Sequence, residues 1–206
     1  MGVTIKICGI TRVEDARLAV EAGADALGFV FCPGSPRAVS LDTLAEITAS
    51  LPPHISRVGV FVNPEPDLVV AASRRGGLSI LQFHGDEEPA FCLQFGLMSM
   101  KAFRMRDSQS LAQLPRYPTD AWLLDSYVAG QAGGTGEKFN WDLAVQAVAL
   151  GKPVFLAGGL TAENVSDAIT RVRPFGVDVS SGVEASPGKK DPAKMAAFVA
   201  AARRAA

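Results

Sequence analysis

Pro153-Val154-Phe155-Leu156-Ala157-Gly158-Gly159 is followed, after one helical pattern, by Phe175-Gly176-Val177-Asp178-Val179-Ser180-Ser181-Gly182. Each half is a short, near-continuous apolar run that breaks off on glycine or serine. Unbroken apolarity marks a strand covered on both faces, as in a parallel sheet. Glycine lets the backbone approach a ligand closely, and free N–H groups at a turn attract an anion. A third glycine turn, Gly133-Gly134-Thr135-Gly136, precedes these two. Turns of this kind at the ends of neighbouring parallel strands form a cup for one phosphate. The expected anion contacts are therefore Gly134, Thr135, Gly136, Gly158, Gly159, Ser180, Ser181 and Gly182, and the expected ligand is a phosphorylated small molecule.

The same type of run recurs upstream at Val3–Cys8, Asp25–Phe31, Arg57–Val62, Leu78–Phe83, Met98–Phe103 and Ala121–Asp125. Helical patterns lie between the runs. Thr11-Arg12-Val13-Glu14 reads as a capping box, with Gly23 as the left-handed stop of its helix. Ser40, Asn140 and Thr161 are expected caps, and Gly76, Gly96 and Gly151 expected stops. Asp191-Pro192 opens the last helix. Pro115 and Pro118 crowd the segment between strands five and six, which is expected to be mostly loop. Eight strands alternating with helices in 206 residues predict an α/β fold, a closed (β/α)8 barrel in a single domain over residues 1–206. The rival is a doubly wound open sheet. The strand count and the spread of polar residues over many strand ends favour the barrel, whose active site would sit at the strand C-termini.

Composition narrows the function. Hydrophobic residues make up 48% of the chain, and 20 basic against 21 acidic side chains leave a net charge of -1. No basic run suggests nucleic acid, and no apolar stretch approaches the ~20 residues of a membrane span. Three scattered cysteines fit reduced thiols in the cytoplasm, and two histidines are too few for a histidine-based metal site.

The strand ends carry the candidate chemistry. Lys6 and Cys8 share one face of strand one and point inward if Ile7 packs outward. Cys8 reads either as a base or nucleophile or as a small buried hydrophobe; the lysine beside it favours chemistry. Cys32 and Cys92 read as packing residues or inert thiols. In the loop after strand two, Pro33 and Pro36 stiffen the chain that presents Arg37, whose fork suits a substrate carboxylate, although loop arginines are often merely solvated. His84 closes strand four as a ligand contact, an acid or base, or a structural imidazole. His54 lies in a loop at the opposite end of the barrel. Asp125 closes strand six as a general acid or base, or as a turn cap. Asp178 on strand eight adjoins strand one and can reach Lys6 if it points inward.

Taken together, Lys6-Ile7-Cys8-Gly9-Ile10-Thr11, Ser35-Pro36-Arg37, Val58-Gly59-Val60-Phe61-Val62-Asn63, Gln82-Phe83-His84-Gly85, Leu124-Asp125-Ser126, Gly133-Gly134-Thr135-Gly136 and Asp178-Val179-Ser180-Ser181-Gly182-Val183-Glu184 resemble the phosphoribosylanthranilate isomerase family of tryptophan biosynthesis. The resemblance implies an Amadori rearrangement with Cys8 as general base and Asp125 as general acid. It also implies that Arg37 binds the anthranilate carboxylate and that the late glycine turns and Ser180-Ser181 bind phosphate. Lys6, His84 and Asp178 complete the expected substrate contacts. No cofactor or metal is implied, the partner is a small phosphoribosyl substrate, and the protein is expected as a monomer or homodimer. The alternatives are a metal-dependent pentose-phosphate epimerase, an indoleglycerol-phosphate synthase barrel, or a phosphate-ligand binder without chemistry.

Overall fold

The apolar runs become strands because each offers side chains to two buried surfaces at once. In the computed structural model, which describes residues 2–126 and 141–206, the strands are β1 (Thr4–Cys8), β2 (Ala26–Phe31), β3 (Ser56–Phe61), β4 (Ile80–Phe83), β5 (Met98–Met105), β6 (Ala121–Ser126), β7 (Val154–Leu156) and β8 (Gly176–Val179). They hydrogen-bond in chain order, all parallel, and β8 pairs with β1 to close the barrel. The helices are α1 (Val13–Glu21), α2 (Leu41–Ala49), α3 (Pro66–Gly76), α4 (Pro89–Leu93), α5 (Ser108–Gln113), α6 (Trp141–Val148), α7 (Val165–Val172) and α8 (Pro192–Ala205). This is the expected (β/α)8 barrel, and the open-sheet rival is excluded by the β1–β8 pairing.

Two cores follow from the period of two along each strand. Ala26, Val58, Val60, Met100, Ala102, Leu123, Phe155 and Ala157 fill the barrel interior together with Cys8. Ile5, Ile7, Leu27, Phe29, Phe61, Leu124 and Val177 face outward into a larger core with the helices, which Met195 and Phe198 of α8 help to build. The parity that turns Ile7 outward sends Lys6 and Cys8 inward.

Several local expectations are corrected. The capping box at Thr11 does not form. The helix begins after Arg12, whose side chain makes no cap, while the Thr11 hydroxyl donates to the Gly188 carbonyl at 2.5 Å. A distant loop has taken the group that would have capped the helix. Ser40 does cap α2, accepting from the Thr43 N–H at 3.0 Å. Thr161 opens the turn that runs into α7, whose N-cap position is Asn164. Gly76 remains helical, packed where a Cβ would strike Leu44, and Gly77 takes the left-handed stop at φ 55°. Between β5 and β6 a short helix forms after all. Asp107 caps it through the Ser110 N–H, and Pro115 falls in a following 3-10 turn, at a position whose N–H needs no helical partner. The cap expected at Asn140 and the turn Gly133-Gly134-Thr135-Gly136 lie outside the described residues.

After β8 the chain makes a short antiparallel hairpin, β9 (Glu184–Ser186) and β10 (Lys189–Lys190). It reaches back to the first βα loop through Thr11–Gly188, and to α1 through the Lys190 N–H, which donates to Asp15 Oδ2 at 3.1 Å.

Candidate active site

At the mouth of the barrel β1 and β8 place a thiol, an ammonium and a carboxylate side by side. Lys6 and Asp178 are register partners, and Lys6 Nζ lies 2.7 Å from Asp178 Oδ1 with no exposure of the lysine side chain. Burial works against the Lys6 ammonium, but Asp178 and then the Cys8 sulfur outweigh it, and the lysine pKa is raised. Burial also pushes the Cys8 thiol up. Lys6 pulls it down, Asp178 adds to the rise, Lys190 opposes it, and the net direction is upward. Cys8 is nonetheless 8% exposed, at the open end of the interior. Gly28 on β2 makes the room: a Cβ there would sit 2.7 Å from Cys8 Sγ and 3.1 Å from Lys6 Nζ.

Across the mouth, Asp125 is the penultimate residue of β6. Its Oδ2 is 3.3 Å from His84 Nε2, with both side chains partly open to solvent. The other ring nitrogen, Nδ1, lies 3.2 Å from Gln82 Nε2, so the imidazole is gripped at both ends. The loop that carries His84 is pinned from below by a buried pair. Lys101 Nζ donates to the Gly85 carbonyl at 2.7 Å and to Glu87 Oε2 at 3.2 Å, and Glu87 accepts from the N–H groups of Asn63 and Gly85.

Arg37 is more committed than the sequence suggested. Its Nε and Nη2 donate to the two oxygens of Glu184 at 2.8 and 2.7 Å, a bidentate pair. The hydrogen bond to Glu184 is the main cause of a raised arginine pKa. Burial alone would lift the Glu184 pKa, but Arg37 and Lys190 hold it below the usual carboxylate value. Lys190, fully buried in its side chain, donates to Glu184 Oε1 at 3.0 Å and to the Ser180 carbonyl at 3.2 Å. Burial leaves its pKa lowered despite that partner. Glu184 and Lys190 are the residues that reading the chain left without a role. Lys189-Lys190-Asp191 looks like solvated charge in sequence, and nothing local marks one of its lysines as buried.

The two late turns do come together. A Cβ at Gly182 would run into the Leu160 carbonyl, one residue beyond Gly158-Gly159, so these segments touch. Gly158 and Gly159 have φ of 81° and 66°, a left-handed pair that glycine adopts without strain. Ser180 Oγ is buried beside Gly9 with no hydrogen-bond partner among the described residues. His54 is exposed at the opposite end of the barrel, Cys92 is buried in α4, and Cys32 is a free, partly exposed thiol.

A closed (β/α)8 barrel that gathers its ionisable side chains at the strand C-termini is built as a barrel enzyme. The family model for N-(5'phosphoribosyl)anthranilate (PRA) isomerase matches residues 5–201. N-(5'-phosphoribosyl)anthranilate isomerase of Geotalea uraniireducens is 53% identical over 199 residues, spanning 97% of this chain and 98% of its own. The crystal structure of phosphoribosyl anthranilate isomerase from Thermotoga maritima matches with a TM-score of 0.93 and 41% identity, over 98% of this chain and 99% of that one. Another phosphoribosyl anthranilate isomerase, solved in complex with reduced 1-(o-carboxyphenylamino)-1-deoxyribulose 5-phosphate, matches with a TM-score of 0.89 and 39% identity, over 98% and 99% of the two chains. The chain belongs to the phosphoribosylanthranilate isomerase family.

Proposed function

We propose that this protein catalyses the Amadori rearrangement of N-(5-phosphoribosyl)anthranilate to 1-(2-carboxyphenylamino)-1-deoxyribulose 5-phosphate, a step of tryptophan biosynthesis. The observation that carries the reading is that Cys8 lies beside Lys6 on β1, and Asp125 of β6 beside His84, which follows β4, around one mouth.

Asp125 gives a proton to the furanose ring oxygen as the C1–O bond breaks. The aniline nitrogen supplies its lone pair, and a protonated imine forms at C1. Cys8, as thiolate, removes the proton from C2 and leaves an enolamine. That species gains a proton at C1 and loses one from the C2 hydroxyl to give the ketone. Lys6 favours the thiolate electrostatically, and Asp178 holds the lysine in place. His84, whose Nε2 lies 3.3 Å from Asp125 Oδ2, orients the acid. The N–H groups of Gly158, Gly159, Ser180, Ser181 and Gly182 hold the phosphate, with Gly134, Thr135 and Gly136 joining them on the strength of the family resemblance. Arg37 offers the anthranilate carboxylate the donors that Glu184 leaves free. The protein works in the cytoplasm, as a monomer or homodimer. Among the described residues no helix is long and apolar enough to cross a membrane.

The test is direct: phosphoribosylanthranilate is fluorescent, and its signal should decay when purified protein is added. A signal unchanged at micromolar protein would reject the assignment.

A further inference from the structure

One buried ion pair has no place in the mechanism above. On β5, Met100 and Ala102 face the barrel interior, so Lys101 between them points outward, toward the rings of Phe103 and Tyr117. Lys101 is 3% exposed, and its partner Glu87 is 6% exposed. Taking two charges out of water costs about as much as their attraction returns. Stability alone therefore does not account for an ammonium and a carboxylate set among apolar side chains.

The backbone groups that the pair holds point to another role. Lys101 Nζ donates to the Phe83 carbonyl at 3.3 Å and to the Gly85 carbonyl at 2.7 Å, the residues on either side of His84. Glu87 Oε2 lies 3.2 Å from the ammonium and also accepts from the Gly85 N–H at 3.0 Å. Its Oε1 accepts from the Asn63 N–H at 2.8 Å, which ties the turn to the chain leaving β3. Asn63, left-handed at φ 46°, returns a bond, its Oδ1 accepting from the Asp86 N–H at 2.7 Å. The His84 N–H donates to the Phe61 carbonyl at 2.8 Å. The peptide groups around His84 are thus fixed from several directions, while its ring reaches forward to Asp125. Lys101 stands on the outer side of the sheet and acts on that ring only through this backbone.

We propose that Lys101 and Glu87 are positioning residues: their ion pair sets the backbone at His84 so that the imidazole holds Asp125 where it delivers its proton. The kinetic test rests on the isomerase reading above. Lys101→Met should lower kcat by about ten- to a hundredfold, the effect of misplacing a reacting group by about 1 Å. KM should stay within about twofold of the parent, because ground-state binding is untouched. In a His84→Ala background the same substitution should change kcat by less than about twofold, since the ring it acts through is gone. The double replacement Lys101→Met with Glu87→Gln strands no charge and serves if the single variant does not fold. Nitrogen NMR gives a second readout, because the chain has two histidines and His54 is exposed. Gln82 on one ring nitrogen of His84 and Asp125 on the other select one tautomer in the parent. Lys101→Met should move those resonances toward the tautomer-averaged positions of His54. An unchanged kcat, an equal loss in the His84→Ala background, or unmoved ring resonances overturns the proposal. A parent without turnover ends the isomerase reading instead and leaves the ring resonances to decide this one.

Discussion

Lys6 and Asp178 meet across the seam where the barrel closes, Nζ to Oδ1 at 2.7 Å, with Cys8 as their neighbour on the solvent side. Removing either charge alone strands the other in a buried site. Asp178→Ala should therefore destabilise the protein by about 3–5 kcal/mol. The double replacement Lys6→Met with Asp178→Val should recover most of that loss, because no unpaired charge remains. It should still be a poor enzyme, since the thiolate has lost its nearest cation. Urea titrations of the single and double variants, set beside their kcat values, check both halves. A double variant as unstable as the single would show that the pair's packing, not its charge, matters.

Cys8→Ala and Asp125→Asn should each lower kcat by about 10²–10⁴-fold with a near-native melting temperature. Activity within a few-fold of the parent removes the corresponding role. The pH dependence carries a sign as well. Burial raises the Cys8 thiol and Lys6 is the largest influence opposing it, so taking Lys6 away raises the thiol further. The thiolate then forms only at higher pH. The ascending limb of kcat/KM should move to higher pH in Lys6→Met than in the parent, and a shift downward would contradict the geometry.

Cys92 gives a stability prediction far from the chemistry. It is almost fully buried in α4, and burial raises its thiol to about 11 from the ordinary 9.0. With the folded pKa above the unfolded one, the native state keeps a proton that the unfolded chain releases between those values. Stability is thus intact below pH 9 and declines as pH rises toward 11, by on the order of 2 kcal/mol. Cys92→Ala should flatten that alkaline decline, at the cost of a lower plateau from the small cavity left behind. Guanidinium titrations from pH 8 to about pH 11 read the slope, and an unchanged slope in the variant assigns the effect to other groups.

The sequence carries the fold because strands buried on two faces have no polar alternation, and all eight runs stand out between helix caps and glycines. It carries the Lys6–Asp178 pair too, since closure of an eight-stranded barrel makes strands one and eight neighbours and parity turns both side chains inward. What it does not carry are the choices made between side chains far apart in the chain. Thr11 looks like a cap until Gly188, 177 residues later, takes its hydroxyl. Arg37 looks like a free fork until Glu184 occupies two of its nitrogens. Lys190 sits in a run of charge that reads as surface, yet hydrogen bonds to Glu184 and to the Ser180 carbonyl bury it.

The closing seam also sets an order of events during synthesis. Lys6 is translated early, but its partner lies 172 residues downstream, and the hairpin that braces the first loop comes later still. Until β8 is made, Lys6 has no Asp178 to pair with and β1 lacks its neighbour on that side. Every other stave of this cylinder is made before β8, the one that brings a carboxylate to the lysine beside Cys8.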